Sequence, residues 1–229
     1  MPRRARVIVP NMPHHIVQRG HNRNEVFAGE GDYRYYLENL RDWKLELGIK
    51  VYSYCLMTNH VHIVLEPGDD RSTVSLLMKQ LAARQTRWVN KHDGRSGSLW
   101  EGRFKCSPIQ EESYLLQCCR YVERNPVKAN MVKHPSQYPW SSYRARIGKE
   151  FTHWLDFEST YIALGASFAE RQARYQKYVD AVADESETDL IRNALNANQL
   201  TGDADFVDKV EQLGGVRIEP RSRGRPAAR

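Results

Sequence analysis

The run Met57-Thr58-Asn59-His60-Val61-His62-Ile63-Val64-Leu65 sets two imidazoles two residues apart inside an apolar, β-branched stretch. A strand sends residues i and i+2 out of one face, so His60 and His62 would stand side by side. Val61, Ile63 and Leu65 would then turn to the opposite, buried face. Neutral imidazole is the commonest protein donor to divalent transition metals, and a strand holds two rings more firmly than a loop. A bare His-x-His also occurs among ordinary surface and core histidines, so its chemistry depends on what faces it.

The second reactive group lies downstream, in Ser113-Tyr114-Leu115-Leu116-Gln117-Cys118-Cys119-Arg120-Tyr121-Val122-Glu123-Arg124-Asn125-Pro126. Glu111, Glu112 and Ser113 suit a helix start, and Pro126 marks its end. On one short helix Tyr114, Gln117, Tyr121 and Asn125 share a face. Packed over the histidine strand, that face would offer Tyr121 as a nucleophile and Asn125 or Gln117 as an oxygen ligand to a metal. Tyr114, two turns earlier on the same face, is a rival nucleophile. The same spacing also fits an amphipathic helix that buries the Tyr121 ring and leaves its hydroxyl at the rim. A zinc hydrolase is disfavoured, because no third His or carboxylate stands at metal-site spacing.

These groups need a scaffold, and the hydrophobic pattern supplies one. His15 to Gln18 reads as a first strand. Asp32 then caps a helix whose Tyr33, Tyr36, Leu37, Leu40, Trp43 and Leu47 form one stripe until Gly48. Lys50 to Leu56 and His60 to Leu65 follow as two strands joined by a short turn. Ser72 starts a second helix carrying Val74, Leu77, Met78, Leu81 and Val89, and a strand is expected over Trp100 to Lys105. The β-α-β-β-α-β order implies an α+β fold, an antiparallel sheet with helices on one side. Beyond Pro126, Tyr161 to Leu164, Arg171 to Ala183, Thr188 to Leu195 and Phe206 to Leu213 read as short helices of a small C-terminal helical appendage.

Four stretches occur in the order known from one family: His14 to Gly20, Leu56 to His62, Leu99 to Lys105, and Arg120 to Ala129. Over residues 10 to 145 the chain resembles the REP-associated tyrosine transposases of the single-tyrosine HUH superfamily, named for His, hydrophobic, His. The resemblance implies a ferredoxin-like core and makes Tyr121 the nucleophile, His60 and His62 metal ligands, and Asn125 the third ligand, where many relatives carry Gln. It implies a divalent cofactor, Mg²⁺ or Mn²⁺, and a single-stranded or hairpin DNA partner. The reaction would be endonucleolytic strand transfer through a 5′-phosphotyrosine. A noncatalytic DNA-binding or regulatory protein that keeps this fold is the second reading.

Charge is distributed unevenly. Residues 1–150 hold 24 Lys and Arg against 15 Asp and Glu, residues 151–211 hold 5 against 12, and residues 212–229 hold 5 against 1. The basic body suits a phosphate backbone, with Arg19, Arg103, Lys105, Arg120 and Arg124 as candidate DNA contacts. The acidic 151–215 segment would compete for that surface or face away from it, and the tail from 216 to 229 would either add Arg223 and Arg225 as a flexible basic arm or serve as a plain solubilising tail. Cys55, Cys106, Cys118 and Cys119 show no metal or disulfide spacing and read as reduced, small apolar residues. No apolar run is long enough to span a bilayer and no secretory leader is visible. The expectation is a cytoplasmic protein without a membrane partner, a monomer or homodimer.

Overall fold

A four-stranded antiparallel sheet in the order β2-β3-β1-β4 forms the centre of the molecule. Its strands are β1 (His14–Arg19), β2 (Lys50–Met57), β3 (His60–Glu66) and β4 (Lys105–Pro108). The computed structural model describes residues 6–181 and 185–197, with Thr201, Phe206 and Val210. The tail holding Arg223 and Arg225 lies outside the described residues, as does most of the expected Phe206 to Leu213 helix.

Helices α1 (Glu30–Glu46) and α2 (Ser72–His92) cover one face of the sheet. Ile16, Tyr54, Leu56, Val61, Ile63 and Leu65 meet Tyr36, Leu40, Leu77 and Leu81 there in one buried cluster. With the strand order, this is the α+β arrangement expected from the element pattern and the ferredoxin-like core implied by the resemblance. Asp32 does not stand at the N-cap of α1, a place taken by Gly29. It sits in the first turn, where Oδ2 accepts from the amides of Ala28 and Gly29 at 2.8 and 3.0 Å.

The expectation of helices on one side alone is corrected. Helix α3 (Glu111–Glu123) packs on the other face, burying Leu115, Cys118, Cys119 and Val122 against Cys55, Met57 and Val64. The reason is visible in β2 and β3, which are buried along nearly their whole length. A strand apolar on both faces needs a cover on both. The fourth strand is also displaced: Trp100 makes only an isolated bridge to Gly20, and Gly102 at φ 159° turns the chain before β4 begins.

After α3 come the single turns α4 (Asn125–Lys128), α5 (Tyr143–Arg146) and α6 (Ser159–Ile162), then α7 (Phe168–Asp180) and α8 (Glu185–Ala197). Pro126 lies in the first turn of α4, where its missing N–H is tolerated. Tyr143, Tyr161, Tyr175 and Val179 pack together with Leu116 of α3. The boundary expected near residue 150 therefore runs through a packed layer. None of the described helices is long and apolar enough to cross a membrane.

His14, next to the site, is fully buried with both nitrogens engaged. Nδ1 donates to the Met12 carbonyl at 2.7 Å, and Nε2 accepts from the Val9 amide at 3.1 Å. A second proton would turn that acceptor into a donor facing another donor. Burial lowers the His14 pKa from 6.5 to about 4. Between those values the unfolded chain binds a proton that the folded one refuses, so stability is full above pH 6.5 and falls as pH drops toward 4. The loss from His14 is about 3 kcal/mol. Urea unfolding at pH 7 and pH 4.5 will show the drop, and the His14 ring resonances of the folded protein will stay unprotonated at pH 5.

Candidate functional site

Strand pairing decides which side chains meet on the α3 side of the sheet. His60 lies opposite Arg19, His62 opposite Val17, and Val64 opposite His15. On the far edge of β1, Ser107 pairs with His15 and Lys105 with Val17. Antiparallel partners share a face, so His15, Arg19, His60, His62, Lys105 and Ser107 all project toward α3.

The hairpin that presents the histidines is clamped by the segment after β1. The amides of Gly20 and Val26 donate to the carbonyls of Asn59 and Thr58, each at 2.8 Å, and Asn59 Nδ2 donates to the Arg23 carbonyl at 3.0 Å. Gly20 is required by space: a Cβ there would stand 2.3 Å from the Asn24 carbonyl oxygen and 2.8 Å from Val26. Asn59 also holds the first ring, its Oδ1 lying 2.7 Å from His60 Nδ1.

Three imidazoles are grouped here, where the sequence pattern shows two. The His60 and His62 ring centroids are 5.0 Å apart, and His15 Nε2 lies 2.9 Å from His62 Nδ1. Burial, with a smaller contribution from the Arg19 charge, lowers the His60 pKa to about 4. Burial foremost, then the charges of His15, His60 and Arg19, pushes His62 well below its usual value. Both rings are thus neutral near pH 7, the state in which a ring nitrogen can offer a lone pair.

Tyr121 packs its ring edge-on against two of these histidines. The centroid lies 5.8 Å from that of His15 and 6.0 Å from that of His62, at interplanar angles of 73° and 75°. Lys128 of α4 stands over the phenol, with Nζ 5.8 Å from the ring centroid. Burial raises the Tyr121 pKa, opposed by the charge of Arg192 and a hydrogen bond from its side chain. Arg192 belongs to α8, whose Ile191 is buried in the same cluster as Leu115 and Cys118. The acidic C-terminal segment therefore crosses the face that carries the histidines. It is fixed beyond by Thr201, which exchanges backbone hydrogen bonds with Pro108 and Gln110 at 2.9 Å each.

The other expected site residues divide. Asn125 follows Tyr121 by one turn, but its Nδ2 donates back to the carbonyls of Tyr121 and Val122 at 2.8 and 3.3 Å. Only Oδ1 of its amide is left to act as a donor atom toward a ligand. Arg19, Arg103 and Lys105 are exposed, and two of them border the histidines. Arg120 and Arg124 are turned toward α7. Arg120 Nη1 donates to the Tyr178 carbonyl at 3.3 Å and its guanidinium stacks on the Tyr178 ring, while Arg124 Nη1 donates to the Val179 carbonyl at 2.6 Å. They tie α3 to α7, where a DNA strand would have to displace them.

Among the described residues no group of three His, Cys, Asp or Glu side chains is arranged to hold a metal ion. Being neutral and fixed by a strand, with the Tyr121 ring packed against His62, His60 and His62 nevertheless fit a divalent cation as a pair. Its remaining ligands would be oxygens, from an amide or a substrate phosphate. Gln117 carries a buried Oε1 with no hydrogen-bond partner, one turn before Tyr121 on α3, so the amides of Gln117 and of Asn125 in α4 each keep an oxygen in reserve. Sequence reading missed His15 and Arg192. The even spacing of His15 and Arg19 placed them on one face, but only the pairing of β1 with β3 brings that face beside His62.

The Transposase IS200 like family matches residues 8–125. A curated REP-associated tyrosine transposase from Haemophilus influenzae is 22% identical over 105 residues, which is 42% of this chain and 60% of that protein. The chain thus spans about 60% of the length of that relative. A solved structure of a REP-associated tyrosine transposase bound to a REP hairpin is similar in fold, with a TM-score of 0.56 and 16% identity over 69% of this chain and 95% of that one.

Proposed function

The chain belongs to the IS200-like transposase family, and from that premise we propose that it cleaves and rejoins single-stranded DNA through Tyr121, on hairpin substrates of the REP type. The observation that carries this reading is the Tyr121 ring seated edge-on against His62 and His15, with His60 alongside. The hairpin preference is taken from the similar solved structure, which is described as bound to a REP hairpin.

In this reading the Tyr121 hydroxyl attacks a phosphodiester. The Oη–P bond forms and the P–O3′ bond breaks, leaving a 5′-phosphotyrosine and a free 3′-hydroxyl. The phenolic proton goes to solvent and the departing 3′ oxygen takes one up. Bond energy is kept in the phosphotyrosine, so a 3′-hydroxyl can reverse the step and rejoin a strand without ATP. A divalent cation, Mg²⁺ or Mn²⁺, held by His60, His62 and the Asn125 oxygen would polarise the phosphoryl oxygen. His60 and His62 supply lone pairs because burial keeps them neutral, while α3 and the sheet hold the phenol ring against His62 and His15. Arg192 hydrogen-bonds the phenol, so a strand that reaches Tyr121 must first move this side chain aside.

The deciding experiment incubates the full chain with a 3′-labelled single strand containing a hairpin, in the presence of Mn²⁺. A labelled adduct that survives denaturing electrophoresis and disappears with chelator supports catalysis. Tight hairpin binding with no adduct in any divalent metal would instead favour the noncatalytic DNA-binding reading.

Arg19, Arg103 and Lys105 are proposed to hold flanking phosphates. Replacing any one by Ala will weaken binding to all sequences alike. It will also flatten the plot of log affinity against log salt by about one unit of slope, measured by fluorescence anisotropy over a salt series. Equal slopes for variant and parent would remove that residue from the interface.

A further inference from the structure

We infer that His15 is a positioning residue for His62: it selects which nitrogen of His62 faces outward with a lone pair. This inference rests on the proposed role of His62 as a metal ligand.

His15 is wholly buried in β1, opposite Val64 and diagonal to His62 across the β1–β3 pair. Its Nε2 lies 2.9 Å from His62 Nδ1, with ring centroids 5.1 Å apart and an angle of 25° between the planes. Nearly parallel rings at that separation, touching through nitrogens, fit an N–H···N bond lying close to both ring planes.

A neutral imidazole has one donor and one acceptor, so a bond shared by two of them allows two arrangements. If His15 Nε2 carries the proton, His62 accepts at Nδ1, and its own proton sits on Nε2. That nitrogen then has no lone pair to give. If His62 Nδ1 carries the proton, His15 accepts and His62 Nε2 is free to bind a cation. When His15 Nε2 accepts, the shared bond therefore holds His62 in the competent tautomer and keeps its ring in plane. A carbonyl or carboxylate usually plays this part beside a metal-binding histidine; here the acceptor is an imidazole.

A second observation concerns the other nitrogen of His15, which carries the ring's proton in the competent arrangement. His15 Nδ1 is buried and has no hydrogen-bond partner. In a purely structural histidine both nitrogens are normally satisfied, as they are in the adjacent His14. His15 leaves one nitrogen unmet while the other is spent on His62. Ser107, its β4 neighbour on the same face, bonds Thr201 at 3.1 Å through its hydroxyl.

The test uses the full-length protein. Nitrogen-15 NMR of the unaltered chain should detect scalar coupling between His15 Nε2 and His62 Nδ1 across the hydrogen bond, and its absence would overturn the contact itself. Mn²⁺ affinity, read by electron paramagnetic resonance of the free ion, is then compared among variants. His15→Leu should bind Mn²⁺ about 10- to 100-fold more weakly. His15→Gln, whose Oε1 can accept from His62 Nδ1–H, should regain most of that loss. A Gln variant as weak as the Leu variant, or a Leu variant as tight as the parent, would sink the positioning role. His60→Ala and His62→Ala serve as controls: if both leave Mn²⁺ affinity unchanged, it is the underlying metal reading that fails.

Discussion

Tyr121→Phe should abolish the covalent protein–DNA adduct, lowering its rate of formation by about a million-fold, the scale on which enzymes suffer when their nucleophile is removed. The substitution deletes one oxygen and keeps the ring. The edge-on packing against His15 and His62, 5.8 and 6.0 Å between centroids, should therefore survive, and the fold with it. Hairpin affinity should change little, because phosphate contacts rather than the phenol hold the strand. Tyr114→Phe makes the paired control. Tyr114 lies two turns earlier on α3, packed at the edge of the cluster formed by Tyr52, Val64 and Leu115, and it should retain full activity. The readout is the shifted band from a 3′-labelled strand, since a 5′-phosphotyrosine leaves the protein on the 3′ fragment. An adduct that persists in Tyr121→Phe would refute the assignment, and one lost only in Tyr114→Phe would move the nucleophile to that residue.

The parts of this site that could be read from the chain are those set by local periodicity. A period of two put His60 and His62 on one face of β3, and a period near 3.6 put Tyr114, Gln117 and Tyr121 on one face of α3, with Asn125 one turn further on at the start of α4. Both follow from backbone geometry alone. The β-α-β-β-α-β order likewise leads to the observed sheet, since short connections and antiparallel pairing leave few ways to arrange four strands. What could not be read depends on contacts between segments far apart in sequence. His15 meets His62 only because β1 lies beside β3. The side taken by α3 follows from both faces of β2 and β3 being apolar, which is ambiguous when a strand is judged by alternation. Arg120 and Arg124 looked like phosphate ligands by charge, yet the open carbonyls at the end of α7 claim them. Nothing in the composition of the acidic segment marks Ile191 and Arg192 as the residues that dock beside Tyr121.

The anchoring of Tyr121 leads to the second large effect: Arg146→Met should destabilise the fold by about 3–5 kcal/mol, the range seen when one partner of a buried ion pair is removed. Glu123 follows Tyr121 by two residues and so leaves the opposite face of α3. Its carboxylate is fully buried. Oε1 accepts from Ser142 Oγ at 2.6 Å and from Ser53 Oγ of β2 at 3.3 Å, and Oε2 accepts from the Tyr175 hydroxyl of α7 at 2.7 Å. Arg146, also without exposure, lies 3.3 Å from Glu123 and grips Glu158 in two hydrogen bonds of 3.0 and 2.5 Å. It also donates to the Tyr52 carbonyl at 2.7 Å. Burial works against its charge, but the carboxylates of Glu158 and Glu123 beside it outweigh that and keep the guanidinium protonated. Methionine fills the volume and leaves two carboxylates and a carbonyl with no cation in a dry interior. Adding Glu158→Leu removes one stranded charge, and the double variant should recover part of the loss. Urea unfolding curves of the parent, the single and the double variant provide the measurement. A single variant that loses less than about 1 kcal/mol would mean that hydroxyl groups alone hold Glu123, and that α3 keeps Tyr121 against the histidines without the help of Arg146.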